Sequence, residues 1–261
     1  MKNISIIGIP YDEKSSFMKG TAQAPPIIRK LLHSGASNYF AENGISIQND
    51  LISDRGDIKI DEYFDIEKEA EKILKENNRL FTLGGDHSIT YPLVKAFSKF
   101  YSPFHILHFD AHPDLYDEYE GDKYSHACPF ARIMEDKLTE RVVQVGIRTM
   151  NTHQKEQSER FGTEIIEMKY FNLDELPKFT KPIYISLDMD AIDPAYAPGI
   201  SHHEPGGLSS RQIINIIQSI NVPIIGADLV EYNPVRDMND VTAALVAKLM
   251  KEILSKMIEN G

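Results

Sequence analysis

Short apolar runs and longer amphipathic segments alternate along the chain. Runs at 4–9, 79–83, 104–109, 142–145, 164–167, 182–187 and 224–229 read as buried strands. Segments 25–32, 64–77, 89–99, 152–160, 210–219 and 241–258 read as helices between them. Strand, helix, strand repeated in this way predicts an α/β fold with a mostly parallel sheet covered on both faces. The first helix has a legible start: Ala24-Pro25 precedes Ile27, Ile28 and Leu31, and proline is tolerated in a first turn. No repeat, low-complexity tract or Gly/Ser linker interrupts the pattern, so residues 1–261 are expected to form one domain.

The apolar runs end in unusual chemistry. After 104–107 comes His108-Phe109-Asp110-Ala111-His112-Pro113-Asp114. If the chain stays extended there, Asp110, His112 and Asp114 share one face. After 182–187, Asp188 and Asp190 alternate in the same manner, followed by the turn pair Asp193-Pro194. After 79–83, Gly84-Gly85 permits a tight turn, Asp86 or Ser88 can cap the next helix, and His87 sits in the turn. After 224–229 stands Glu231. Any one of these could be a solvated turn. Several strands ending in acids are harder to dismiss, because unpaired buried charge is costly and a bound cation removes the cost. His87, Asp110, His112, Asp114, Asp188 and Asp190 are too many donors for one small ion and fit two metals with shared carboxylates. A carboxylate-rich set with imidazole favours manganese over zinc.

Composition narrows the classes. A net charge of −11 opposes a nucleic-acid surface and is compatible with a small cationic substrate. No apolar run is long enough to span a bilayer. The N-terminal run reads as a strand rather than a signal peptide, and a single cysteine, Cys128, excludes an intrachain disulfide and fits a reducing cytoplasm. Cys128 lies two residues from His126, but no third group completes a Cys–His nucleophile. Arg55-Gly56-Asp57 is taken as a chance match to an adhesion signal.

The motifs Gly84-Gly85-Asp86-His87-Ser88, Asp110-Ala111-His112-Pro113-Asp114 and Ser186-Leu187-Asp188-Met189-Asp190-Ala191-Ile192-Asp193-Pro194 together resemble the three signatures of the ureohydrolases, the family of arginases and agmatinases. The resemblance runs from Gly20-Thr21-Ala22-Gln23-Ala24-Pro25 to Glu231-Tyr232-Asn233-Pro234. The segments Tyr124-Ser125-His126-Ala127 and Ala197-Pro198-Gly199-Ile200-Ser201-His202 look particularly like the plant arginase branch.

The resemblance implies a three-layer α/β/α sandwich around an eight-stranded, mostly parallel sheet. It implies two Mn(2+) per subunit, with Asp110 and Asp188 shared, His87 and Asp114 on one ion, and His112 and Asp190 on the other. Two such cations acidify a water between them, which suits attack on a resonance-stabilised guanidinium carbon. It further implies His126 as proton shuttle, Glu231 as the acid that holds the guanidinium, and a trimer or hexamer of identical subunits.

This chain departs from the family in its substrate loops. His202 stands where a loop threonine is usual, and the loop containing Asp117 lacks the Asn, Thr and Ser pattern of many arginases. Asp117 and His202 therefore join His126 and Glu231 as candidate substrate contacts. No basic residue near the motifs offers a carboxylate clamp. That favours agmatine, cleaved to putrescine and urea, over arginine, whereas the plant-like wording favours arginine. Another guanidino-acid hydrolase is a further alternative, as are a one-zinc deacetylase and a non-catalytic binding module; urea release, metal stoichiometry and turnover separate them.

Overall fold

The computed structural model describes residues 3–76 and 79–261. Asn77, the expected end of the second helix, lies outside them, as do Met1 and Lys2 of the N-terminal run. The strands are β1 (Ile4–Gly8), β2 (Ile52–Asp57), β3 (Arg79–Leu83), β4 (His105–Phe109), β5 (Arg141–Ile147), β6 (Glu164–Glu167), β7 (Ile183–Asp188) and β8 (Ile224–Val230). They form one sheet in the order β2-β1-β3-β8-β7-β4-β5-β6, with every neighbouring pair parallel. The helices are α1 (Ala24–Leu32), α2 (Asp65–Lys75), α3 (Thr90–Tyr101), α4 (Pro129–Glu135), α5 (Thr152–Phe161), α6 (Ser210–Gln218) and α7 (Val241–Glu259).

The apolar runs are continuous rather than alternating because both faces of the sheet are covered. Neighbouring residues of one strand point to opposite sides. Phe81, Leu107 and Ile185 pack with Ile28 of α1, Ile213 and Ile217 of α6, and Val246 and Ile253 of α7. Leu80, Ile106 and Tyr184 pack on the other side with Ile66 of α2, Phe97 of α3 and Phe130 of α4. The result is helix, sheet, helix in three layers, as expected.

Local signals set the helix ends. The Ser209 hydroxyl accepts from the Gln212 N–H at 3.2 Å while the Gln212 side chain accepts from the Ser209 N–H at 2.8 Å, a capping box that starts α6. Asn151 and Gln154 do the same for α5. Strands β3, β8, β7 and β4 are consecutive in the sheet. Their carboxyl ends deliver His87, Glu231, Asp188 and Asp110 to one rim, where open parallel sheets form their ligand crevices.

Candidate active site

Backbone turns, not strand alternation, gather the acids. Strand β4 stops at Phe109, and Asp114 has a left-handed φ of 49°. The expectation that Asp110, His112 and Asp114 share a face in extended chain is therefore replaced by a turn, in which Asp110 Oδ1 accepts from the His112 N–H at 2.6 Å. Asp188 closes β7 and Asp190 lies in the following 3₁₀ turn, its N–H donating to Asp188 Oδ1 at 2.7 Å. His87 sits in a 3₁₀ turn capped by Asp86, whose carboxylate accepts from the Ser88 N–H at 3.0 Å. Gly85 makes that turn feasible: a Cβ there would stand 1.9 Å from the Tyr11 carbonyl oxygen.

These turns bring all six expected donors together. His87 Nδ1 lies 3.2 Å from Asp110 Oδ2, 3.0 Å from Asp114 Oδ2 and 3.2 Å from Asp188 Oδ2. His112 Nδ1 lies 3.3 Å from Asp110 Oδ1 and 3.0 Å from Asp190 Oδ2. Asp110 thus turns one oxygen to each histidine. The cluster has two lobes, one around His87 and one around His112, joined by Asp110. All six are buried except His112, which is partly exposed to a cleft.

The donor set fits a pair of cations. His87 Nε2 lies 2.9 Å from the Ser186 hydroxyl, which donates to Asp228 Oδ1 at 2.7 Å; Thr90 and Tyr184 donate to the other oxygen of the same buried carboxylate. Ser186 has thus given its proton away and accepts from His87 Nε2–H. That leaves the Nδ1 lone pair of a neutral His87 facing three carboxylate oxygens, with no well-directed hydrogen bond to any of them. A bound cation reconciles that arrangement, as does a proton shared among the ring and its acids. On protein groups alone a proton takes the place: burial disfavours the imidazolium, but Asp110, Asp114 and Asp188 outweigh it and hold His87 protonated well above its usual range. Burial and the neighbouring acids push Asp188 well above the carboxylate range and Asp114 up to about 6. Oxygen and imidazole donors without thiolate are the set that suits manganese and similar ions.

Beside the cluster, Glu231 lies just past β8 with φ 61°, a left-handed conformation uncommon for a side chain of this size. Its Oε1 accepts from the His87 N–H and from His126 Nδ1, each at 2.9 Å. Burial opposes protonation of His126, but Glu231 outweighs it and raises the ring to about 9. Ser16 offers His126 Nε2 both its N–H, at 3.2 Å, and its hydroxyl, at 2.8 Å. The ring keeps a partner in either state: the N–H donates to the neutral ring and the hydroxyl accepts from the protonated one.

A cleft of about 190 Å³ opens onto these groups and is lined by Ser16, His112, Tyr116, Asn151, His202 and Glu231 among others; among the described residues no Lys or Arg lines it. The His202 ring sits between those of His112, His126 and Phe17, with centroids 5.9, 5.6 and 5.3 Å away. Asp117 is not brought to the cleft; its carboxylate pairs with His153 at 3.0 Å on the outside. Arg148, the nearby cation, is committed to the carbonyls of Glu204, Gly146 and Asp190. Cys128 is buried, and burial pushes its thiol up to about 12, which disfavours the thiolate a nucleophile needs. A larger cavity of about 420 Å³ beneath α6 is mostly apolar and gathers no comparable set of donors.

The supporting residues Ser16, His108, Gln144 and Asp228 were not singled out from sequence. Asp228, His108 and Gln144 carried one signal, a polar side chain inside an apolar run.

Comparison with known proteins places the chain. A profile of the Arginase family matches residues 2–255. The chain is 44% identical to Arginase 1, mitochondrial, of Arabidopsis thaliana over 97% of its own length and 80% of that protein. It is 32% identical to the agmatinase of Bacillus cereus over 96% of its length and 90% of that protein. The solved arginase of Medicago truncatula superimposes with a TM-score of 0.94 at 41% identity, covering 98% of this chain and 87% of that one. The chain belongs to the arginase family and, with it, to the hydrolases that act on guanidino compounds.

Proposed function

We propose that the protein releases urea from agmatine, leaving putrescine. The reading rests on one observation: the cleft beside the donor cluster is acidic and, among the described residues, no Lys or Arg lines it. The amine end of agmatine needs no carboxylate clamp there. Arginine is the second reading, favoured by the greater identity to the Arabidopsis arginase than to the agmatinase.

In this reading His87 and Asp114 would hold one divalent cation and His112 and Asp190 the other, with Asp110 and Asp188 as the acids that would be shared, and manganese is the best match to the donors. When bound, such a pair lowers the pKa of water and supplies a nucleophile at neutral pH. The chain's own groups do the rest. Glu231 Oε1 is committed to His87 and His126, so Oε2 is the oxygen that accepts from the guanidinium and orients its carbon. A guanidinium on Glu231 weakens that carboxylate's hold on the His126 proton. His126 is thereby readied to protonate the departing amine as the carbon–nitrogen bond breaks. Ser16 and the ring of His202 line the cleft beside His126.

Urea release from agmatine and arginine in parallel, on manganese-loaded protein, is the test. Preference for agmatine supports the amine-only cleft. Preference for arginine transfers the reading to the amino acid. Urea from neither overturns it. Asp110→Asn is expected to lose both ions, because one residue serves two lobes; two tightly held metals in that variant would remove the shared role. We also read 1–261 as one domain and the assembly as a trimer or hexamer, checked by limited proteolysis and light scattering. A cytoplasmic location rests on cysteine usage and on reading the N-terminal run as a strand, whereas the Arabidopsis relative is named mitochondrial; among the described residues no helix is long and apolar enough to cross a membrane. Cell fractionation decides the compartment.

A further inference from the structure

We infer that His108 is a positioning residue that fixes the Asp110 carboxylate, with its own protonation site dictated by Gln144, and that it is not a metal donor. The inference rests on the reading of Asp110 as the ligand common to both lobes.

His108 is the residue whose role is least obvious from proximity. Its ring nitrogen, with His87 and Asp110, belongs to a trio of donor atoms all within 4.8 Å of one another, so it could pass for a third ligand on the His87 lobe. The hydrogen bonds argue otherwise. Strands β4 and β5 pair in parallel with His108 opposite Gln144, so the two side chains stand on the same face, and both are fully buried. The Gln144 amide nitrogen lies 2.7 Å from the Pro113 carbonyl oxygen. A carbonyl only accepts, so the amide must present its NH2 group there. The same nitrogen lies 2.8 Å from His108 Nδ1, and its second hydrogen points to that atom. Nδ1 is therefore an acceptor. The single proton of the neutral ring then resides on Nε2, which lies 2.9 Å from Asp110 Oδ2.

The consequence falls on Asp110. Its Oδ2 accepts from His108 Nε2–H, and its Oδ1 accepts from the His112 N–H at 2.6 Å. Each oxygen is tied by one donor, which sets the carboxylate plane so that Oδ2 faces His87 and Oδ1 faces His112. The ring of His108 cannot swing away, because it stacks on Phe130 with centroids 3.8 Å apart and planes at 24°. A nitrogen that carries a proton toward Asp110 has no lone pair to give a cation. Partners of this kind orient a ligand and sustain metal affinity, and losing one typically weakens binding about 10–100-fold.

Three variants and one spectrum test this. His108→Phe keeps a ring on Phe130 and removes the Nε2–H. Gln144→Leu removes the donor that sets the tautomer. Gln144→Glu offers Nδ1 a carboxylate instead, which draws the proton to Nδ1 and turns a lone pair toward Asp110. Mn(II) binding is followed by electron paramagnetic resonance and calorimetry, together with the melting temperature of each metal-free variant. The expected result is two Mn(II) per wild-type subunit and at least a 10-fold weaker affinity in His108→Phe and Gln144→Glu, out of proportion to any fall in metal-free melting temperature. Affinity equal to wild type in both variants overturns the inference. So does a loss that merely tracks melting temperature across all three. In metal-free wild type, nitrogen-15 spectra are expected to show His108 protonated at Nε2 alone; protonation at Nδ1 overturns the inference whether or not metal binds. Wild-type protein that takes up no manganese, yet shows the Nε2 proton, removes the two-cation reading and the Asp110 role with it while retaining the Gln144–His108 bond.

Discussion

At the scale of single residues, His126 and Glu231 separate chemistry from metal holding. Neither is in the six-residue cluster, yet both line the cleft. His126→Ala is expected to retain manganese and lose turnover by about 10²–10⁴-fold, the usual worth of a positioned acid–base group. Metal content beside the rate makes the distinction, and an unchanged rate removes His126 from the mechanism. The same pair predicts a pH dependence. Glu231 overcomes burial and raises the folded His126 to about 9, against about 6.5 for the free side chain. Between those values the folded state binds more protons than the unfolded state. The pair's contribution to stability is then complete below about pH 6.5 and is lost as pH rises through about 9. Melting temperatures of metal-free protein are expected to decline over that interval, and Glu231→Gln to flatten the decline. An identical slope in the variant would place its origin elsewhere.

At the scale of elements, local rules and the sheet contribute differently. Ser209 caps α6 from both directions, so Ser209→Ala is expected to cost about 1 kcal/mol. For a chain of this size that is a fall of about 2–4 °C in melting temperature. No measurable fall would mean that Ile213 and Ile217, buried against the sheet, hold the helix without its cap. Elements of that kind were legible, because caps and apolar faces are local in sequence. Strand β2 was not. It is an edge strand, its residues are all exposed or half-buried, and it shows neither an apolar run nor a clean alternation. Its acids Asp54 and Asp57 pair with Arg29 of α1, and Arg55 pairs with Glu76. Arg55-Gly56-Asp57 is thus part of an ion-paired sheet edge. Helix α4 was missed because it has only seven residues, too few for a period to show. In the site, the acids at strand ends were readable as charges where apolar residues belong. Gln144 and His108 were not, since a polar residue in a strand announces a partner without saying which one, and the pairing of β4 with β5 supplies that answer.

At the scale of the molecule, the candidate donors tie distant parts of the chain together. His87 follows β3, Asp110 to Asp114 follow β4, Asp188 closes β7 and Asp190 follows it. In the sheet these strands flank and include the centre, with β8 between β3 and β7. The unfolded chain holds the same donors far apart, so cations bound here favour the folded state almost alone. Binding at 100 times the dissociation constant then stabilises by about 2.7 kcal/mol per site. Metal removal also restores the cost of packing Asp110, Asp114, Asp188 and Asp190 together, since burial and mutual repulsion already push Asp188 and Asp190 up. The chelated protein is expected to melt about 10 °C or more below the manganese-loaded protein, on the scale of about 2–4 °C per kcal/mol. Because the donors span three strands of one sheet, the loaded protein is expected to melt in a single, later transition rather than to gain a separate stable fragment. Calorimetry of the two forms checks both statements. Equal melting temperatures would mean that this rim is stable as a cluster of protonated acids and imidazolium, with no resident metal supporting the fold.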